Sequence, residues 1–281
     1  MKKQTGTINK TKKTLKGEDQ VLAALRKEKI KSILFNQKEV SVSALAAHFE
    51  VSEETIRRDL TSMESEGILV RKHGGAILAD KVLGDMATNH LLQNVFVENK
   101  EKIAAVCRPF IQAKDCLFFD SSTTAYHVCK EMPDVELTVL TNSLSIINLL
   151  AQREKINLIA VGGTMLKNKD CFIGRSAINF LSLFHVDKAF LSCRSLSMTD
   201  GITEANESIA EIKQTVVERA NRVFLIADYS KFGKASFTRI CGFDRIHDLV
   251  TDKPLSPQWQ TFAQEHGIRL WNPESPFTDD V

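Results

Sequence analysis

The chain has 281 residues, 43% of them hydrophobic, which exceeds what one small helical module requires and supplies a second, larger core. Charge is unevenly spread: residues 1–80 hold fifteen Lys/Arg against eleven Asp/Glu, a net of +4, while the remainder is net −2. No apolar run approaches the ~18 residues needed to cross a bilayer, no apolar segment follows the lysine-rich start as in a secretory signal, and the six cysteines lack CxxC or zinc spacing. The expectation is a cytoplasmic two-domain protein with reduced thiols, no metal and no cofactor.

Residues 1–20 form a basic arm. Six lysines and no acid within 1–17 predict disorder, either merely solvated or touching phosphates. The segment 21–78 has a different character. Ser41 and Ser52 are both good N-caps, each preceding a helically spaced stretch, so two short helices start eleven residues apart. In the second, Ile56, Leu60 and Met63 follow the i, i+4, i+7 spacing of a buried stripe. The 100° step then puts Glu54, Arg57, Arg58 and Thr61 on the opposite face. After Gly67, β-prone Ile68 to Val70 lead to the basic Arg71, Lys72 and His73. Gly74 and Gly75 are expected to supply a φ > 0 turn from which Ala76 to Leu78 return as a strand.

Two helices, a tight turn and a glycine-tipped hairpin make a winged helix-turn-helix. An exposed arginine pair suits a helix that enters the major groove, since Arg offers two parallel donors to guanine or clamps a phosphate. The candidate DNA-binding residues are Ser52, Glu54, Thr55, Arg57, Arg58, Thr61, Arg71, Lys72, His73 and Gly74. A plain helical hairpin with a solvated charged face is the competing reading. The segments VSEETIRRDL and RKHGGA resemble two signatures of the N-terminal module of the DeoR family of bacterial transcription regulators, over roughly residues 26–78.

Periodicity loosens over 79–97, the expected linker. From 98 to 281 short apolar runs alternate with helix-length amphipathic stretches: CLFF then TTAYHVCKEM, LTVL then LSIINLLAQ, NLIAV then SAINFLSLF, KAFL then ESIAEIKQTVVERA, RVFLIA, and DLVT then QWQTFAQEH. This pattern predicts an open α/β domain whose mainly parallel sheet is buried on both faces. Ligands of such sheets sit beyond the carboxyl ends of the strands, at helix N-termini that favour anions. The candidate residues there are Asp120, Ser121, Ser122, Thr123 and Thr124 after the first strand, Asn142 after the second and Gly162, Gly163 and Thr164 after the third. Asp228 and Lys231 follow the strand 223–227. Hydroxyls, backbone amides, glycines and a lysine suit a phosphate, and Asp120, Asn142 and Asp228 suit sugar hydroxyls. Each, taken alone, is also a plain N-cap.

The segments DSSTT, LTVLTNS, VGGT and ADYSKFG resemble, in this order, the motifs of the sugar-phosphate sensor domain of the DeoR family, a fold related to ribose-phosphate isomerases and CoA transferases. The resemblance then covers residues 26–252. It implies a transcriptional regulator, most often a repressor, that binds operator DNA as a homodimer or tetramer and responds to a phosphorylated sugar. There is one departure: SCRSLS at 192–197 replaces a glycine-rich acidic segment, so Arg194 is either a surface loop substitution or a contributor to an anionic effector site. A serine-cysteine pair there resembles the subgroup that regulates deoxyhexoses such as fucose or rhamnose, which implies a ketose 1-phosphate. Glu207 and Lys213 fall where the family has an acid and a lysine facing the cleft, although they equally suit a solvated helix face. Two alternatives stand beside this reading: a sugar-phosphate isomerase-like enzyme, disfavoured because the expected source of a general base is replaced, and a constitutive DNA-bound oligomer with a degenerate pocket.

Overall fold

The structure is a computed structural model that describes residues 39–78 and 96–274, together with 89, 92 and most positions from 22 to 37. The chain divides after Ala87 into two compact units. The basic arm 1–20 lies outside the described residues, as does most of the stretch 79–97.

In the first unit the described positions of 22–37 are helical (α1). They are followed by β1 (Glu39–Ser41), α2 (Val42–Phe49), α3 (Glu53–Ser65), β2 (Leu69–Lys72) and β3 (Gly75–Leu78). Both serine caps form: Ser41 Oγ accepts from Ala44 N at 3.1 Å and Ser52 Oγ from Thr55 N at 3.2 Å, each satisfying an amide that the helix cannot. Ile56, Leu60 and Met63 are fully buried with Ile30 and Leu34 of α1. Asp59, on the buried side of α3, is held by Arg26 Nε at 2.6 Å, and Lys27 Nζ reaches Ser62 Oγ at 2.7 Å, so α1 is fastened to α3 by polar contacts as well as by packing.

The wing has three strands rather than the two expected. β1 adds to the hairpin in the order β1-β3-β2, all antiparallel, with Ser41 opposite Gly75. This corrects the role given to the glycine pair. Only Gly74, at φ +79, needs the left-handed region; a side chain on Gly75 would instead put its Cβ 2.1 Å from the Val40 carbonyl oxygen of β1. One glycine makes the turn and the other admits the third strand.

The second unit carries α4 (Val97–Cys107), β4 (Cys116–Phe119), α5 (Thr123–Glu131), β5 (Leu137–Thr141), α6 (Leu144–Leu150), β6 (Ile156–Ala160), β7 (Thr164–Leu166), β8 (Cys171–Ile173), α7 (Arg175–Leu181) and β9 (Val186–Leu191). It continues with β10 (Ser195–Ser197), β11 (Gly201–Glu204), α8 (Glu207–Glu218), β12 (Ala220–Ile226), β13 (Thr238–Cys241), β14 (Asp248–Val250), α9 (Pro257–Glu265) and β15 (Arg269–Trp271). Seven strands form one sheet in the order β15-β14-β12-β9-β4-β5-β6, parallel throughout. The expected open α/β sheet is therefore present. Alternate residues feed two cores. Phe118, Leu140, Ala189 and Leu225 pack on one face, whereas Phe119, Val139, Phe190 and Phe224 pack on the other, with Phe190 stacked between Phe119 at 5.0 Å and Phe224 at 4.7 Å. Two small antiparallel additions, β7-β8 and β10-β11-β13, were not expected, and they lie in the connections that follow the carboxyl ends of β6, β9 and β12.

The two glycines of the wing give different expected outcomes. Gly74→Ala strains one residue and should cost about 1–2 kcal/mol. Gly75→Ala drives a Cβ into backbone and should cost more, because the β1–β3 pairing has to open. Chemical denaturation of the full chain checks the order, and equal losses would mean that β1 does not pair as described.

Candidate functional site

On the exposed face of α3, Arg58 is 80% exposed and, among the described residues, pairs with Glu54 at 3.4 Å. Arg57 is more engaged: its guanidinium meets Glu53 at 2.5 Å and Glu54 at 4.0 Å. Thr61 Oγ1 donates to the Arg57 carbonyl at 2.8 Å and accepts from Arg71 Nη1 at 3.0 Å, while Arg71 N donates to Glu64 at 2.9 Å. The hairpin is thus tied to α3. Lys72, His73 and Gly74 are exposed at its tip, and Ser52 and Thr55 share a 2.9 Å hydroxyl contact at the helix start. Arginines on a helix face beside a basic hairpin can meet the phosphates and base edges of a duplex.

In the large sheet the chain builds outward from β4 through β5 and β6, then returns to the other side of β4 as β9 and proceeds through β12. The strand order therefore reverses between β4 and β9, the place where open α/β sheets bind ligands. There the structure puts a buried lysine. Lys213 Nζ, on α8, lies 3.3 Å from Asp120 Oδ2, 2.5 Å from Glu204 Oε2 and 2.9 Å from the Ser192 carbonyl. Burial alone would push Lys213 down, but Glu204 and Asp120 hold it above the usual lysine value. Burial alone would push Glu204 up, yet Lys213's charge and hydrogen bond hold it below the usual carboxylate range. Both groups are ionised at neutral pH.

These contacts revise several expected roles. Asp120 has both oxygens committed, Oδ1 to Ser122 N and Oδ2 to Ser192 N, each at 2.9 Å, so it pins β4 to β9 rather than waiting for a sugar hydroxyl. Ser122 caps α5 through Ala125 N at 3.0 Å. Glu207 is exposed on the first turn of α8 and does not join Lys213, whose carboxylate partners are Glu204 and Asp120. Gly163 is explained by packing, because a Cβ there would lie 2.6 Å from the Ile173 carbonyl of β8; Gly162 and Thr164 are exposed beside it, beyond β6 and two strands from β4. Asp228 caps a short turn through Ser230 N at 2.9 Å.

The rim nevertheless keeps groups suited to a ligand. Asn142 is buried, donates to the Phe172 carbonyl at 2.9 Å and has no hydrogen-bond partner on Oδ1. Thr123 and Thr124 open α5, where the helix cannot satisfy their amides. Ser121 is buried beside them. Lys231 is half-buried, and its charge is felt by Glu204, Cys193 and Lys100. Arg194 sits between β9 and β10, with its amide on the Thr203 carbonyl at 3.0 Å. Burial pushes the Cys193 and Cys241 thiols up to about 12, so both stay protonated. Among the described residues there is no group of three or more His, Cys, Asp or Glu able to hold a metal ion, and no helix long and apolar enough to cross a membrane.

Three participants escaped the sequence reading: Ser192, Glu204 and Lys100. Lys100 is 4% exposed on α4, and burial lowers it to about 7, with Asp228 opposing and Lys231 assisting. It holds the first place of the stripe Lys100, Ile103, Ala104 and Cys107, an apolar spacing interrupted by a lysine, and that was the available signal. The linkage has a definite sign. A lysine whose folded value lies near 7 against 10.5 costs stability fully below pH 7, and the cost is relieved as pH rises from 7 toward 10.5. Lys100→Met should therefore gain on the parent by about 2–3 kcal/mol as pH falls from about 9 to about 6, read by urea denaturation of both chains. A pH-independent difference would show that Lys100 keeps an ordinary affinity for its proton.

Two family models match this chain: the DeoR-like helix-turn-helix domain over residues 26–82 and the DeoR C terminal sensor domain over residues 95–253. The chain is 36% identical to the uncharacterized HTH-type transcriptional regulator YulB of Bacillus subtilis (strain 168), over 84% of this chain and 92% of that one. It is 32% identical to the HTH-type transcriptional regulator IolR of the same strain, over 88% and 98%. Similarity to the L-fucose operon activator of Escherichia coli (strain K12) is 29% identity over 83% and 96%. Among solved structures, ribose 5-phosphate isomerase A from Methanocaldococcus jannaschii aligns at a TM-score of 0.36 and 17% identity, covering 47% of this chain and 53% of that one. With both of its domains matched in order and its relatives spanned almost end to end, the chain belongs to the DeoR family of helix-turn-helix transcriptional regulators.

Proposed function

We propose that this regulator represses a sugar-catabolism operon, that it binds a palindromic operator as a homo-oligomer, and that a phosphorylated sugar in the crevice between β4 and β9 sets its operator affinity. What supports the effector site is one observation: groups from β5, β4, β9 and β12 converge at the carboxyl ends of neighbouring strands where the strand order reverses. The start of α5, Lys231 and Arg194 suit an anion, Asn142 Oδ1 suits a hydroxyl, and the resemblance of Ser192-Cys193 to the deoxyhexose subgroup implies a ketose 1-phosphate. The crevice is read as non-catalytic. Glu204 is the carboxylate in place, but its ion pair with Lys213 keeps it below the pKa at which a general base works well near pH 7.

Calorimetry with fructose 1-phosphate, fuculose 1-phosphate and rhamnulose 1-phosphate, each beside its free sugar, tests the site. Only phosphorylated forms should bind, and Lys231→Ala should weaken binding by roughly 10- to 100-fold, the worth of a charged hydrogen bond. Equal affinity for free and phosphorylated sugars would move the effector elsewhere.

On the DNA side, Arg58→Ala should cost about 1–3 kcal/mol of specific binding if Arg58 reads a base, or lower the salt slope by about one if it meets a phosphate. Arg57→Ala should cost less, because Arg57 must first leave Glu53. Unchanged anisotropy titrations for both variants at matched salt would remove α3 from the interface.

A further inference from the structure

Resting on the crevice being the effector site, we propose that Asn89 and Lys100 form a strap that couples the crevice to the chain segment arriving from the DNA-binding domain. Asn89 follows the last wing residue, Leu78, by eleven positions. Its side-chain Nδ2 donates to two carbonyls far apart in sequence: Ser121 at 2.7 Å, in the loop between β4 and α5, and Lys169 at 2.5 Å, in the turn before β8. One amide nitrogen has two protons, so both are spent on this bridge. Three residues later, the Leu92 carbonyl accepts from Lys100 Nζ. Lys100 in turn lies within electrostatic reach of Asp228 and Lys231, beyond the carboxyl end of β12.

The same short segment is therefore fastened at 89 to the loop after β4 and at 92 to Lys100 of α4, whose ammonium feels the charges of Asp228 and Lys231. At 89 it holds the loop whose amides open α5, and at 92 it is held by an ammonium beside Lys231. An anion drawing on the free amides at the start of α5 pulls on the loop whose Ser121 carbonyl is half of the Asn89 bridge. An anion near Lys231 competes with the Leu92 carbonyl for the Lys100 ammonium, since charge-assisted bonds outrank neutral ones. Either event changes the tether of the segment that leads to the DNA-binding domain. By reciprocity, whatever the ligand does to the strap the strap does to the ligand.

Hydrogen exchange of the full chain, with and without saturating inorganic phosphate, tests this on the parent, Asn89→Asp and Asn89→Ala. Asp keeps the shape but cannot donate, and Ala removes the side chain. Without ligand, both variants should exchange about tenfold faster in peptides covering 120–124 and 167–171, as loss of two hydrogen bonds implies. Phosphate should alter exchange in 120–124 and 89–97 of the parent, but only in 120–124 of the variants. An 89–97 response that survives in both variants, or is missing in a parent whose 120–124 loop responds, overturns the strap. If phosphate leaves the 120–124 loop of the parent untouched, the crevice reading fails instead. The ligand-free comparison still decides the strap in that case: faster exchange at 120–124 in the variants supports it, and unchanged exchange there overturns it.

Discussion

A lysine buried where the strand order reverses is the constraint on which the sensor domain depends. Taking an ammonium out of water costs several kcal/mol, so Lys213 is tolerable only if carboxylates surround it. They come from separate elements: Asp120 closes β4, Glu204 closes β11, and the Ser192 carbonyl extends from β9. The small sheet β10-β11-β13 has its physical purpose here, since without β11 no second carboxylate reaches the ammonium. Asp120 then spends its remaining capacity on the amides of Ser122 and Ser192, which sets the separation of β4 from β9. The opposite end of the sheet uses the same chemistry without a crevice. Fully buried Asp248 accepts from Arg222 at 2.6 Å and 2.9 Å and from Trp271 Nε1 at 2.8 Å, joining β12, β14 and the edge strand β15. Buried ion pairing thus serves cohesion in both places, joining β12, β14 and β15 in one and β4, β9 and β11 in the other.

The large elements were legible because their signals are local. A strand buried on both faces reads as an unbroken apolar run, and all six runs named in the second unit became strands of the sheet. The caps at Ser41 and Ser52 and the stripe Ile56, Leu60 and Met63 are similarly short-range facts. What escaped was non-local. Strands of three or four residues such as β1, β7, β8, β10 and β11 carry too few positions for a period, and they exist because a partner far along the chain accepts them. Gly75 illustrates the limit: sequence shows a glycine after a glycine, but the Val40 carbonyl that forbids a Cβ lies thirty-five positions upstream. The resemblance points to Glu207, whereas Glu204 lies on β11, a strand too short to show in the sequence. Six positions along a helix turn a side chain about 240° from its starting direction, which puts Glu207 and Lys213 on different faces.

The site was legible at the level of which strand ends matter and illegible at the level of which atoms are free. Ser, Asp and Asn after a strand can serve a helix, a neighbouring strand or a ligand, and the sequence is the same in all three cases. Ser122 serves the helix, Asp120 serves the neighbouring strand, and Asn142 divides itself, with Nδ2 on β8 and Oδ1 without a partner. On the DNA-binding side a parallel distinction separates the two arginines. Arg58 is almost wholly exposed, whereas Arg57 is half covered by acids of its own helix, so a duplex must displace carboxylates before Arg57 can contact it. Such intramolecular competition favours selectivity, because a weakly matched duplex does not repay the displacement.

Lys100 joins the two halves of this picture. Its proton is held loosely because burial opposes the charge more than Asp228 favours it. A negative ligand in the proposed site would act in the other direction, stabilising the ammonium and favouring proton uptake by Lys100. The same new charge pulls the ammonium away from the Leu92 carbonyl, which is neutral and holds it less strongly. Proton uptake and loosening of the segment at residue 92 are thus two consequences of one electrostatic change. A residue with an ordinary lysine pKa would be charged beforehand and would register the anion less. The strain of burying a lysine in α4 is, on this account, what makes the segment responsive to charge in the crevice.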